Sequence, residues 1–155
     1  MLPRTYANQN CSVARTLEVV GERWSLLILR DAFLGLSRFD QFHESLGVAR
    51  NILSDRLARL VDAGIFERVP YQERPRRYEY RLTEAGRELS VPVLALMHWG
   101  DRHLAPHGPP RIAEHAGCGG AVLEQHVCSE CGALLSTGEV HTRPGPGHSE
   151  LALSY

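Results

Sequence analysis

The chain has 155 residues, 43% of them apolar, enough for one domain of ordinary size or a domain with an appendage. Its 17 basic residues are all arginine and face 18 acidic ones, a net charge of −1 that excludes a protein coating nucleic acid indiscriminately. No apolar run approaches the roughly 18 to 20 residues of a membrane span, and Met1-Leu2-Pro3-Arg4-Thr5 lacks the apolar stretch of a secretory signal. A cytoplasmic protein with no membrane partner is expected.

From Cys11 to Val20 a first helix is expected, with Val13, Leu17 and Val20 on one face and Gly21 ending it. Glu22 to Leu34, holding Trp24, Leu27, Ile28, Leu29, Ala32 and Phe33, reads as a central buried helix closed by Gly35. Ser37 suits an N-cap for a third helix, Arg38 to Leu46, with Phe39, Phe42 and Leu46 inward. After the turn Gly47-Val48 a fourth helix begins near Ala49. Its core stripe is Ile52, Leu53, Leu57, Leu60 and Val61, and its outer face is Arg50, Asn51, Ser54, Asp55, Ala58 and Arg59.

Gly64 stops that helix. Ile65 to Pro70 and Arg77 to Leu82 read as antiparallel strands flanking an arginine-rich turn, Gln72 to Arg77. Thr83 then caps one long helix from Glu84 to His103, in which Pro92 makes either a kink or the true first turn. Its stripe of Leu89, Val93, Leu96 and Met97 suits subunit pairing or packing on the first helix. Pro106-His107-Gly108-Pro109-Pro110 is a linker, followed by a compact Cys/His segment. The organisation is residues 1–105 as the main domain and 106–155 as a small extension. Fifteen arginines meet 13 acidic residues in the first part, a balance of +2; two meet five in the second, −3.

Helix, turn, helix and basic hairpin in this order describe a domain that reads double-stranded DNA. The fold class is α+β and mainly helical: a winged helix-turn-helix with a two-stranded wing, flanking dimerisation helices and a zinc-ribbon-like tail. Arg50 and Asn51 open the second helix of the pair, with Ser54 a turn on. Arginine and asparagine are the side chains that bond guanine and adenine in bidentate fashion. Ser37 and Arg38 stand at a helix start, where N–H groups favour phosphate. Arg74, Arg76 and Arg77 would hold the backbone.

The sequence also resembles the HxlR-type bacterial regulators. The resemblance lies in Cys11-Ser12-Val13, Gly21-Glu22-Arg23-Trp24-Ser25-Leu26-Leu27-Ile28-Leu29, Arg38-Phe39-Asp40-Gln41-Phe42 and Leu53-Ser54-Asp55-Arg56-Leu57. It continues in Asp62-Ala63-Gly64-Ile65, Arg77 to Gly86 and His98-Trp99-Gly100, about two thirds of the chain. It implies a homodimeric transcription factor paired through its terminal helices on a two-fold-related operator. The family's helix-opening arginine falls on Arg38 and its recognition-helix start on Arg50 and Asn51. Where the family usually has proline after the first cysteine, this chain has Ser12.

The resemblance implies a redox role for Cys11, since some members sense oxidants or electrophiles through a cysteine here. A helix N-terminus activates a thiol; the other reading is a small packing residue. His115-x2-Cys118-x9-Cys128-x2-Cys131 has the spacing of two zinc knuckles. A structural zinc with these four ligands is expected, His126 and His141 being substitutes; the other reading is reduced thiols or a Cys–Cys bridge in a small lobe. A small-molecule effector would sit between subunits near Trp24 or Trp99. No phosphate loop, nucleophile elbow or paired carboxylates suggests an enzyme. The chain therefore reads as a dimeric DNA-binding regulator answering a small molecule or redox signal; the alternative is a protein-interaction adaptor using the same winged helix and tail.

Overall fold

A computed structural model describes residues 5, 6 and 9–147. Most of the stretch read for a signal, and residues 148–155 of the extension, lie outside them. Four helices come first: α1 (Ser12–Val20), α2 (Ser25–Phe33), α3 (Phe39–Leu46) and α4 (Arg50–Asp62). An antiparallel hairpin follows, β1 (Phe66–Glu73) and β2 (Arg76–Leu82), then α5 (Glu84–Glu88) and α6 (Ser90–Leu104). A two-residue ladder, β3 (His126–Val127) with β4 (Leu134–Leu135), and a 3₁₀ turn (Thr137–Glu139) complete the described chain. The chain divides into two compact units, one running to Val93 and one beginning at Leu94.

The core of the first unit is built by α2, α3, α4 and the base of the hairpin. Leu53, Leu57 and Leu60 recur at helical spacing along α4 and are fully buried with Ile28, Leu29 and Phe42. Phe66 is 2% exposed and meets Phe42 edge to face at 6.4 Å between ring centres. Each such side chain contributes roughly 1.5 to 3 kcal/mol. Burial of this stripe fixes which side of α4 faces outward.

Several expectations need correction. Val13 and Leu17 are exposed (66% and 41%), whereas Ala14 and Val20 turn inward on α1. Ile52 is also exposed, since the i, i+4, i+7 spacing of Leu53, Leu57 and Leu60 leaves it on the flank. Ser37 is not the N-cap of α3; Arg38 is. The Ser37 carbonyl instead accepts from the Tyr80 N–H at 2.7 Å, which draws Ser37 to the wing. Gln41 Oε1 caps α3 by accepting from the N–H groups of Ser37 (3.0 Å) and Arg38 (2.9 Å).

The strands are longer than expected, and pairs Gln72↔Arg77 and Glu73↔Arg76 leave Arg74 and Pro75 as the tip. Tyr71 falls in a register shift between Pro70 and Gln72. A bulge suits Pro70, which cannot donate to a ladder. The single helix expected from Glu84 breaks at Leu89, with Pro92 in the first turn of α6. A proline there clashes with the carbonyl four residues back, that of Glu88, so α5 ends at that residue. Thr83 caps α5 as expected, accepting from the Gly86 N–H at 3.1 Å.

Candidate nucleic-acid interface

Helices α3 and α4, joined by Gly47-Val48-Ala49, form the helix pair. Because α4 commits Leu53, Leu57 and Leu60 to the core, Arg50, Asn51 and Ser54 stand exposed at its N-terminal end. Arg50 Nη2 donates to Asp40 Oδ1 at 2.6 Å, and its guanidinium lies 5.1 Å from the Phe39 ring centre. Both partners of that ion pair are well exposed, and such pairs hold by about 1 kcal/mol or less. Arg50 can therefore exchange Asp40 for a base edge or a phosphate.

Arg38 is held more firmly. Its Nε and Nη2 donate to Glu79 Oε1 at 3.2 and 3.1 Å, and its guanidinium lies 4.4 Å from the centre of the Tyr71 ring. Glu79 also accepts from Arg81 at 3.2 Å. Hydrogen bonds from Arg81 and then Arg38 hold the Glu79 carboxyl below its ordinary range. Arg38 thus clamps the start of α3 to the wing, and an isolated bridge between Arg38 and Glu79 ties the backbones together.

Arg74, Arg76 and Arg77 are exposed at the far end of the hairpin. Two further arginines, Arg68 and Arg81, lie nearer the base of the hairpin. Arg68 lies 4.1 Å from the Tyr78 ring centre, with Arg76 at 5.6 Å from the same ring, and Arg81 flanks Glu79. The cross-strand register brings Arg68 to Tyr78, whereas Arg76 meets Tyr78 and Arg81 meets Glu79 two residues along β2, contacts that an alternation count along that strand could have found.

Residues 19–108, more than half of the chain, match the family described as HxlR-like helix-turn-helix. The chain belongs to this family. Rv3095 of Mycobacterium tuberculosis H37Rv, an uncharacterised HTH-type transcriptional regulator, is 50% identical over 137 residues, covering 88% of this chain and 87% of its own. The crystal structure of PA1607, provisionally assigned as a transcription factor, has a TM-score of 0.78 at 39% identity and covers 87% of this chain and 95% of its own. The redox regulator HypR in its reduced form has a TM-score of 0.58 at 31% identity, covering 61% of this chain and 95% of its own. This HxlR-like chain is accordingly a transcriptional regulator with a DNA-binding helix-turn-helix domain. The 137-residue match outruns residues 1–105, so it reaches into the extension.

The remaining expected sites of this HxlR-like regulator lie elsewhere. Cys11 is the exposed N-cap residue of α1. Trp24 precedes α2 with the Arg23 guanidinium 5.6 Å from its ring centre, while Trp99 is exposed and packs on His103 at 4.9 Å. In the second unit His115 Nδ1 lies 3.1 Å from Cys118 Sγ. Hydrogen bonds from the backbone of Cys131 and of Glu130, then from the Cys131 side chain, hold the Cys128 thiol below its ordinary range. An open cleft of about 380 Å³ in this unit is lined by His98, Arg102, Arg111, Ile112, Val122 and Glu124, with His98 Nδ1 2.6 Å from Glu124 Oε2. No helix among the described residues is long and apolar enough to cross a membrane.

Proposed function

We propose that two copies of this regulator bind a two-fold-related operator in the cytoplasm, each laying α4 in the major groove and its wing along the backbone. The reading rests on one observation above all: α4 has a fully buried stripe opposite an exposed start made of Arg50, Asn51 and Ser54. In this scheme Arg50 and Asn51 touch base edges. Ser37, Arg38, Arg74, Arg76 and Arg77 fix the register through phosphates. Residues 1–105 read and pair, and 106–155 form an appended module.

Pairing of copies uses the terminal helices. Val13 and Leu17 make an unpartnered apolar strip on α1, and Leu96 and Trp99 make another on α6. A mass in solution of twice 17.3 kDa is expected, and a monomer on DNA would contradict this part. Signals reach the protein by two routes. Cys11, exposed at the head of α1, responds to thiol oxidants, a role supported by the likeness to HypR. A small effector sits against exposed Trp99 or in the cleft beside His98. Loss of a diamide response in Cys11→Ser is expected; an undiminished response would remove Cys11 from the scheme.

Arg50→Ala and Asn51→Ala test the reading helix. On a fragment the protein selects, each is expected to cost about 1 to 3 kcal/mol and to relax sequence preference. Arg76→Ala is expected to weaken all sequences alike and to lower the salt slope by about 1. Unchanged affinity in both α4 variants would move the reading face elsewhere. An adaptor would show no selected fragment and a shallow dependence on salt.

A further inference from the structure

Residues 94–147 contain no buried side chain, yet they hold the same turn twice. In the first, the His115 N–H donates to the Gly120 carbonyl at 2.8 Å, and the His115 carbonyl accepts from the Gly119 N–H at 2.8 Å. In the second, the Cys128 N–H donates to the Ala133 carbonyl at 2.9 Å, and the Cys128 carbonyl accepts from the Gly132 N–H at 2.9 Å. The residue after each turn's cysteine is a left-handed glycine, Gly119 at φ +70° and Gly132 at φ +71°. Only glycine adopts that conformation without strain, so the residue type and the geometry agree.

Each turn offers its first and fourth side chains on one side. These are His115 and Cys118, with Nδ1 and Sγ 3.1 Å apart, and Cys128 and Cys131 at the matching positions of the second turn. The repeated turn therefore supplies two preformed bidentate pairs with one imidazole nitrogen and three sulfurs. Zinc favours four such donors in tetrahedral array.

We propose that the two turns close on a single zinc ion, with His115, Cys118, Cys128 and Cys131 as its four ligands. Among the described residues no three His, Cys, Asp or Glu side chains stand together as a metal set, so binding of one ion by all four requires the two turns to approach each other. Closure supplies what this unit lacks. A segment with no buried residue has little hydrophobic stabilisation, and an ion bound only by the folded form adds its binding free energy to folding. Four protein ligands leave no open coordination position, so the ion orders the module and carries out no reaction.

The test uses the full chain, purified under reducing conditions without chelator. About one zinc per chain is expected by elemental analysis. After metal removal, cobalt(II) should restore about one ion per chain, with the strong visible absorption of a tetrahedral thiolate site. Cys118→Ser, Cys128→Ser and His115→Ala should each lose most of the bound metal, while Cys11→Ser keeps it. Urea unfolding of the first unit, unchanged in these variants, separates ligand loss from general misfolding. Absence of zinc together with no cobalt spectrum would overturn the proposal. Full retention of metal in His115→Ala, or a loss in Cys11→Ser equal to that in Cys128→Ser, would overturn the ligand set.

Discussion

The two units of this chain are held together in opposite ways. Among the described residues up to Val93, ten apolar residues are buried in one cluster that runs from α1 to the base of the hairpin. From Leu94 to Gly147 none is, and the order visible there comes from the helical residues 94–104, paired turns, a two-residue ladder and local capping such as Ser136 with Glu139. The first unit can present a rigid reading helix because its core fixes the orientation of α4. The second cannot be rigid on its own packing. A rigid mount lowers the ordering cost of base contacts, so the proposed reading helix sits in the unit that has the core.

The comparison is broken most forcefully by cutting each unit at its best apolar residue. Leu57→Ala, at a fully buried position, is expected to destabilise the first unit by about 2 to 5 kcal/mol in urea unfolding. Leu134→Ala, at 63% exposure, is expected to change stability by about 0.5 kcal/mol or less. Similar losses at both would mean that the second unit has a core after all. Gly86→Ala comes next. A Cβ there would stand 2.2 Å from the Ile65 carbonyl oxygen, so backbone must shift, at a cost of about 1 to 3 kcal/mol by the same measurement. A neutral result would show that α5 does not pack on the hairpin as closely as described.

Thr83→Ala removes the cap of α5 and the hydroxyl that donates to the Gly64 carbonyl at 2.6 Å. About 1 kcal/mol is expected from the cap alone, and a thermal scan without any shift would contradict it. The smallest effect concerns Glu79. Arg81 and Arg38 lower its carboxyl pKa in the folded state, so its contribution is full above the ordinary value of 4.5 and fades as pH falls through the folded value. Glu79→Gln should therefore be less stable than the parent at neutral pH and match it in strong acid. An equal difference at both pH values would place the effect in packing instead.

Much of the first unit was legible because helices announce their buried face by period. Leu53, Leu57 and Leu60, Phe42, and the capping threonine Thr83 all follow from spacing and residue type. Misreadings came where one-dimensional pattern is ambiguous. Val13, Leu17 and Val20 share a face by helical spacing, yet only Val20 is buried, while Val13 and Leu17 stay exposed. Pro92 allowed two readings, and its place relative to Glu88 decided for a break between α5 and α6. The pairing of Arg38 with Glu79, 41 residues away, had no signal in the sequence and comes from the bridge between α3's start and the wing. The twin turns were legible from spacing as two knuckles, and the structure adds that they share backbone bonds and a left-handed glycine although His115 and Cys128 differ in type.

The most direct measurement is selection of fragments from a pool of the parent genome by the full chain at two salt concentrations. The expected result is enrichment of one near-palindromic site, with affinity falling steeply as salt rises, as phosphate contacts require. No enriched site, or affinity indifferent to salt, would contradict the assignment of DNA reading to α4 and the wing.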